Sequence, residues 1–314
     1  MRRVWTTLWQ AIVIRLRELR GLVNGVRKSR DRRDLNYYVC RTFFGRNRDA
    51  LATLLSRWAP RAEAAAAQDD PALAVLHDQG LLRLDDLCSP EQAQALYNEL
   101  KDVPCHDPYR PEFGVFRGDT MPAQSHVAHL DRGPLIRSKL AMDLANDPRL
   151  LALVGGWMQA KPTALVSAWW SSAAGGEAEQ AELFHRDKDD WRFIKLFVYL
   201  TEVTDDTGPH VYVPTSHRHR GLAFRRQRRY SDDEVAAVFD PADTVVLTGR
   251  AGTAVLENTY GLHKGLPVKS GLRLMFQVTY SLFPLMYAPA TPEVDASELA
   301  GRYDAHINRV HIAP

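Results

Sequence analysis

From Lys161 to about residue 290 the chain is cut into short apolar runs, TALVSAWW, FIKLFVYLTEV, HVYVP, DTVVLTG, TAVLEN and LRLMFQVTYSLF, separated by Gly, Pro and Asp. Their β-branched and aromatic content reads as strands, and the breaks between them suit turns. Six or more such strands in sequence predict an antiparallel sandwich or jelly roll. No internal repeat of fixed period interrupts that reading.

The preceding half has a different texture. Asp70-Pro71 opens an apolar stretch with a turn at Gly80, and Ser89 has the character of an N-cap for a helix running to about Lys101. Residues 102–134, with Pro104, Pro108, Pro111, Gly114, Gly118 and Pro122, read as loop, and a second helical stretch from about Leu135 to Met158 breaks near Asp147-Pro148. The run RAEAAAAQD at 61–69 is rich in helix formers and predicts an exposed helix. The fold class is therefore mainly β with added helices (α+β), an α-helical N-terminal region preceding the β core. Four segments follow: a basic amphipathic arm at 1–33, a mostly helical region at 34–160 packing on the core, the β core at 161–290, and a C-terminal tail at 291–314.

Charge is unevenly placed. The net +2 hides an arm in which residues 1–33 hold ten Lys or Arg against Glu18 and Asp31, leaving a mildly acidic body. Trp5, Leu8, Ile12, Leu16, Leu19 and Val23 recur three and four apart, one face of a helix. Such a stripe either packs on the domain or lies on an anionic membrane. No apolar run reaches the roughly 18 residues of a membrane span. The apolar start lacks a small-x-small cleavage site and runs into Arg15, Arg17 and Arg20, which argues against export. Cys40, Cys88 and Cys105 form no CxxC pair and no even disulfide set, which fits a reducing compartment. The expected location is cytoplasmic, or peripheral on the inner face of the membrane.

The chemistry is carried by His185-Arg186-Asp187, followed far downstream by His263 and then Arg273. Residues two apart on an extended strand project to the same side, so His185 and Asp187 can reach one ion while Arg186 points away. Two imidazoles and a carboxylate suit ferrous iron and leave coordination positions open. A guanidinium ten residues beyond His263 offers the planar fork that grips a carboxylate. His-Arg-Asp is also the catalytic-loop triplet of protein kinases, but the Asn required five residues after the Asp is here Arg192, and no glycine-rich loop or Asp-Phe-Gly exists.

The run LFHRDKDDWRFIKLFVYLTEVTDDTGPHVYVPTSHR, followed by GLHKG and Arg273, resembles the phytanoyl-CoA dioxygenase family of iron- and 2-oxoglutarate-dependent oxygenases over about residues 160–285. The resemblance implies a double-stranded β-helix, a jelly roll of cupin type. It further implies that His185, Asp187 and His263 hold Fe(II) and that Arg273 anchors 2-oxoglutarate, which O2 converts to succinate and CO2. Related halogenases replace the carboxylate with a small residue, so Asp187 points to hydroxylation. Two positions depart from the pattern. Family members commonly carry Ser where this chain has Gly265, leaving Thr279 or Tyr280 to assist the carboxylate grip. The usual Gly-Ser-His is here Thr215-Ser216-His217.

Other candidates are less determined. Lys195 alternates with apolar positions in FIKLFVYL, so it faces either the barrel, where it meets 2-oxoglutarate, or solvent. One of Trp169 and Trp170 must face inward, and Trp169 is a candidate pocket wall. His126 and His129 lie in a loop that suits a substrate entrance, and His217 is expected to hold its own turn. Arg218, Arg220, Arg225, Arg226, Arg228 and Arg229 fall within twelve residues; Arg218 and Arg225 are candidate contacts to an anionic substrate. The expected partner is an anionic small molecule or lipid-linked substrate, with peripheral membrane contact through the basic arm. The acidic body and the lack of a binding motif exclude nucleic acid. Two other classes stay open at this point: a catalytically idle jelly-roll binding protein, and a membrane-surface adaptor.

Overall fold

In the computed structural model, residues 13, 15, 16, 19–43, 46–67, 69–175, 177–221, 223–299 and 301–313 are described. The strands in chain order are β1 Leu81–Arg83, β2 Cys105–His106, β3 Val115–Phe116, β4 Val127–Leu130, β5 Thr163–Ser172, β6 Phe193–Tyr199 and β7 His210–Tyr212. They continue with β8 Val245–Leu247, β9 Ala254–Glu257, β10 His263–Gly265, β11 Leu272–Ser281, β12 Val294–Asp295 and β13 Ile312–Ala313. Eight of them form one antiparallel sheet in the order β1-β9-β6-β11-β5-β4-β2-β3, and β10-β7-β8 form a smaller one. All six strand-like sequence runs became strands, and the jelly-roll expectation holds.

Alternation along the three central strands divides the molecule into two environments. On β5, β6 and β11 the even-numbered residues, among them Val166, Leu196, Phe276 and Tyr280, join the main apolar core with the helices. On the other face, odd-numbered residues such as Ser167, Trp169, Lys195, Phe197, Arg273 and Met275 line a cavity. Full burial of a side chain such as Phe276 contributes about 1.5–3 kcal/mol. The Tyr280 hydroxyl donates to the Ala145 carbonyl at 2.6 Å, fastening the sheet to the helix Lys139–Ala145.

The helices begin where the sequence signals them. Ser89 and Gln92 form a reciprocal capping box at the start of Pro90–Leu100. Gly80, with φ of 82°, ends Pro71–Gln79 in the left-handed conformation that glycine adopts without a Cβ clash. The stretch from Leu135 to Met158 lies in three helices, breaking at Ser138 and again at Asp147, whose carboxylate caps Pro148–Met158.

Two expectations are corrected. The loop-like stretch 102–134 contributes β2, β3 and β4 to the main sheet, because short edge pairing satisfies backbone groups between its prolines. The alanine-rich stretch 61–69 is not helical in its described residues. Instead Ala62 and Ala66 lie against Gly155 and Gly156, so close that a Cβ there would meet them at 2.6–3.3 Å, and the Ala66 N–H donates to the Ala152 carbonyl. Tertiary packing onto a glycine face outweighs a helix propensity worth a few tenths of a kcal/mol, in order of magnitude, per residue.

The C-terminal residues close over the core. Ala164 N–H donates to the Ile307 carbonyl, and the His311 Nε2 accepts from Val166 N–H at 2.9 Å. At the other end, residues 19–28 are helical, and Leu16, Leu19 and Val23 of the predicted stripe are exposed rather than packed; Trp5, Leu8 and Ile12 lie outside the described residues. No helix among the described residues is long and apolar enough to cross a membrane. All three cysteines are buried and free.

Burial makes acid sensitivity a property of the fold. It pushes His129 and His217 down to about 4 and His311 down to about 3. Each folded-state value lies below the ordinary value near 6.5, so the unfolded chain takes up these protons first. Stability is full above about pH 6.5 and declines as the pH falls toward 4. Thermal melts from pH 7 to 4 are expected to show that decline, with a shallower slope in His311→Gln, whose amide oxygen can still accept from Val166.

Candidate metal and co-substrate site

His185 and His263 are brought together by an isolated antiparallel bridge in which each backbone N–H meets the other's carbonyl. Asp187 N–H then donates to the Thr259 carbonyl, so the strand carrying His185 and Asp187 lies alongside the loop entering β10. One donor atom from each of His185, Asp187 and His263 falls within 4.8 Å of the others. The His185 Nε2 is 3.7 Å from Asp187 Oδ1, and the His263 Nε2 is 3.5 Å from Asp187 Oδ2.

The ring orientations are set from behind. His185 Nδ1 lies 2.9 Å from the Leu183 carbonyl and His263 Nδ1 lies 3.0 Å from the Gly261 carbonyl. A carbonyl only accepts, so both Nδ1 atoms carry a proton, and Nε2 is the ring nitrogen that each histidine turns toward Asp187 and would offer to a metal. Burial, and then the neighbouring His263, hold His185 well below its ordinary value, keeping it neutral. Burial opposes ionisation of Asp187 too, but Lys195 and His263 outweigh it and hold the carboxyl well below its usual range.

Lys195 answers the question that alternation left open. It faces the cavity, but its ammonium donates to Asp187 Oδ2 at 2.7 Å and pairs with Asp189 at 3.0 Å rather than standing free for a co-substrate. Tyr287 supports this cluster from the far side by donating to Asp189 at 3.0 Å. Two carboxylates outweigh burial and hold the Lys195 ammonium charged.

Arg273 stands on β11 opposite Ser171 of β5, and its Nη2 donates to the Ser171 hydroxyl at 3.0 Å. Its Nε and Nη1 are buried without a hydrogen-bond partner. Buried guanidinium donors are rarely left so, because each unmet bond costs about 1–3 kcal/mol. They share with the His-Asp-His triad a cavity of about 310 Å³. Trp169, Phe197 and Met275 wall it, while Trp170 turns into the core. A Cβ at Gly265 would meet only Arg273 Nη2, at 3.8 Å, so the serine common in the resembled family would fit there.

The other predicted residues separate. Thr279 lies on the inward face of β11 but beyond the cavity lining, and its hydroxyl accepts from Gln277 at 3.1 Å. His126 lines the mouth and pairs with Glu182 at 3.0 Å, beside the Arg110–Glu179 pair at 2.7 Å. Arg218 and Arg225 do not line this cavity. Arg218 pairs with Asp78 at 2.9 Å and lines a different cavity, and the Arg225 carbonyl accepts from Lys188. The His217 side chain bonds no backbone group of its own turn; its Nε2 lies 3.0 Å from the His77 carbonyl and ties the turn to the helix Pro71–Gln79, while Thr215 occupies the usual glycine position with φ of 64°.

Sequence reasoning missed Ser171, Asp189, Gln277, Tyr287 and Arg132. Ser171 and Gln277 had a usable signal, since each shares a strand face with a chosen residue at period two. Asp189 and Tyr287 had none, because only the closed chain brings them to Lys195.

The phytanoyl-CoA dioxygenase family profile matches residues 76–273, a span that contains the triad and Arg273. The chain belongs to the phytanoyl-CoA dioxygenase family. As in other iron- and 2-oxoglutarate-dependent oxygenases of this family, the cofactor set is ferrous iron with 2-oxoglutarate and dioxygen. Among solved structures, EctD from S. alaskensis with bound Fe is 20% identical, covering 71% of this chain and 82% of that one, with a TM-score of 0.48. HygX from Streptomyces hygroscopicus, with nickel and 2-oxoglutarate bound, is 17% identical, covering 68% and 87%, with a TM-score of 0.47. The carbocyclase SnoK from nogalamycin biosynthesis is likewise 17% identical, covering 69% and 86%, at 0.47. A comparison with curated proteins returned no match.

Proposed function

We propose that this member of the phytanoyl-CoA dioxygenase family hydroxylates a small molecule bearing an anionic group. A substrate C–H bond would become C–OH while 2-oxoglutarate and O2 become succinate and CO2. The observation that carries the reading is the buried Arg273 fork, two of whose nitrogens lack partners in the same cavity as the triad.

In this reading His185, Asp187 and His263 hold iron, which supplies a site to chelate the keto acid and activate dioxygen. Arg273, steered by Ser171, grips the distal carboxylate of 2-oxoglutarate. Trp169, Phe197 and Met275 exclude water and leave room for the substrate carbon. Arg132 lines the same cavity and, among the described residues, forms no ion pair, so it is the cation we assign to the substrate's anionic group in place of Arg218 and Arg225.

The test is an anaerobic titration with ferrous iron and then 2-oxoglutarate, followed by the visible metal-to-ligand charge-transfer band. Wild-type protein should develop the band and His185→Ala should not; a wild type without it would overturn the assignment.

The exposed Leu16, Leu19 and Val23, flanked by exposed Arg15, Arg20, Arg27 and Lys28, support a second proposal, that the arm rests on an anionic membrane surface. The full chain should cosediment with phosphatidylglycerol vesicles at low salt and lose that binding when residues 1–33 are deleted. Equal recovery with phosphatidylcholine vesicles would refute an electrostatic attachment.

A further inference from the structure

A second cavity, of about 250 Å³, lies where the helix Arg46–Trp58 meets the β core. Four arginines line it, Arg48, Arg192, Arg218 and Arg220, against one carboxylate among the described residues, Asp49. That carboxylate is already taken by Arg220 at 2.6 Å. Arg218, from the arginine-rich run, leans outward to Asp78.

The two deeper arginines are hydrogen-bonded only to neutral acceptors. Arg48, almost fully buried, donates to the backbone carbonyls of Cys40 and Asp190. Arg192 donates to the Met158 carbonyl at 2.8 Å and to the Thr53 hydroxyl at 3.0 Å. The buried Asp190 carboxyl accepts from Asn36 and from Phe283 N–H; it lies near enough to interact with the Arg48 charge but is not directly hydrogen-bonded to that guanidinium. Neutral acceptors satisfy guanidinium geometry but leave its charge in place, and buried charge ordinarily finds a counter-charge.

Trp157, Trp191 and Tyr260 supply flat walls, with the Arg48 guanidinium 4.7 Å over the Tyr260 ring. Arg186 reaches the same tyrosine from behind, at 5.3 Å, with its Nε and Nη1 buried and without hydrogen-bond partners. Excess positive charge is thus gathered around an aromatic-walled space. Because Arg186 lies between His185 and Asp187, its contact with Tyr260 links that space to the segment carrying two of the proposed metal ligands.

We propose that this cavity is a second binding site, separate from the metal cavity, for a small phosphate monoester carrying a planar ring. Arg192 and Arg48 would take the phosphate, with Arg220 released from Asp49 to join them, while the ring lies against Trp157 or Trp191. This site does not depend on the oxygenase reading.

Calorimetric titration of the iron-free full chain tests it, with adenosine 5'-monophosphate, inorganic phosphate and adenosine as probes. The monophosphate should bind, phosphate more weakly, and adenosine without measurable heat. Arg192→Gln should weaken the monophosphate at least tenfold, and Arg220→Gln, at a partly exposed position, should weaken it severalfold. Arg273→Gln should leave it within about twofold. Absence of binding to wild type, affinity unchanged in both Arg192→Gln and Arg220→Gln, or loss in Arg273→Gln would each overturn the proposal, the last by placing the probe in the metal cavity.

Discussion

Arg273→Gln is expected to abolish capture of 2-oxoglutarate while leaving iron binding intact. The guanidinium is fixed by Ser171 and presents two further donors into the cavity, both without partners. Two charge-assisted hydrogen bonds at about 1.5–3 kcal/mol each make the loss at least about 3 kcal/mol, or roughly a hundredfold in affinity. Arg273→Lys should recover little, because an ammonium cannot reproduce the bidentate fork. The measurement is 2-oxoglutarate affinity from the charge-transfer band under saturating iron. Undiminished affinity in Arg273→Gln would show that another group holds the distal carboxylate.

Asp187→Ala should remove iron binding and, separately, destabilise the metal-free protein. Lys195 is buried, and Asp187 is one of its two carboxylate partners. Stripping a partner from a buried pair costs about 3–5 kcal/mol, and the remaining Asp189 should hold the loss to about 1–3 kcal/mol. Urea unfolding of the metal-free variant measures it. Adding Lys195→Met to Asp187→Ala should restore much of the stability without restoring iron, since the poorly paired ammonium is then gone. A double variant no more stable than Asp187→Ala would mean that Lys195 is not the cause. The same pairing implies competition, because iron held by the triad would share the Asp187 carboxylate with the Lys195 ammonium.

Much of the site was legible along the chain because its parts are local. His185 and Asp187 are two apart, His263 and Arg273 ten apart, and the strand that carries Arg273 announces itself by composition. The cap at Ser89, the turn at Gly80 and the break at Asp147-Pro148 were legible for the same reason, since each depends on residues within one turn. The alanine-rich 61–69 stretch was misread because its local preference is weak and the glycine face of Pro148–Met158 is invisible at that distance along the chain.

By itself the sequence determined the strand content, the paired faces of β5, β6 and β11, the His-Asp-His donor set and the position of its arginine. Periodicity settles which residues share a face, but not which face is enclosed or what meets it there. Only the tertiary structure decided that the odd-numbered face lines the cavity, that Lys195 is spent on Asp187 and Asp189, and that Ser171 steers Arg273. It also moved Arg218 to a second cavity and placed on the first Arg132, which forms no ion pair among the described residues. Each of those outcomes depends on charges and donors from distant segments meeting in a space closed to water, where an unmet partner costs most.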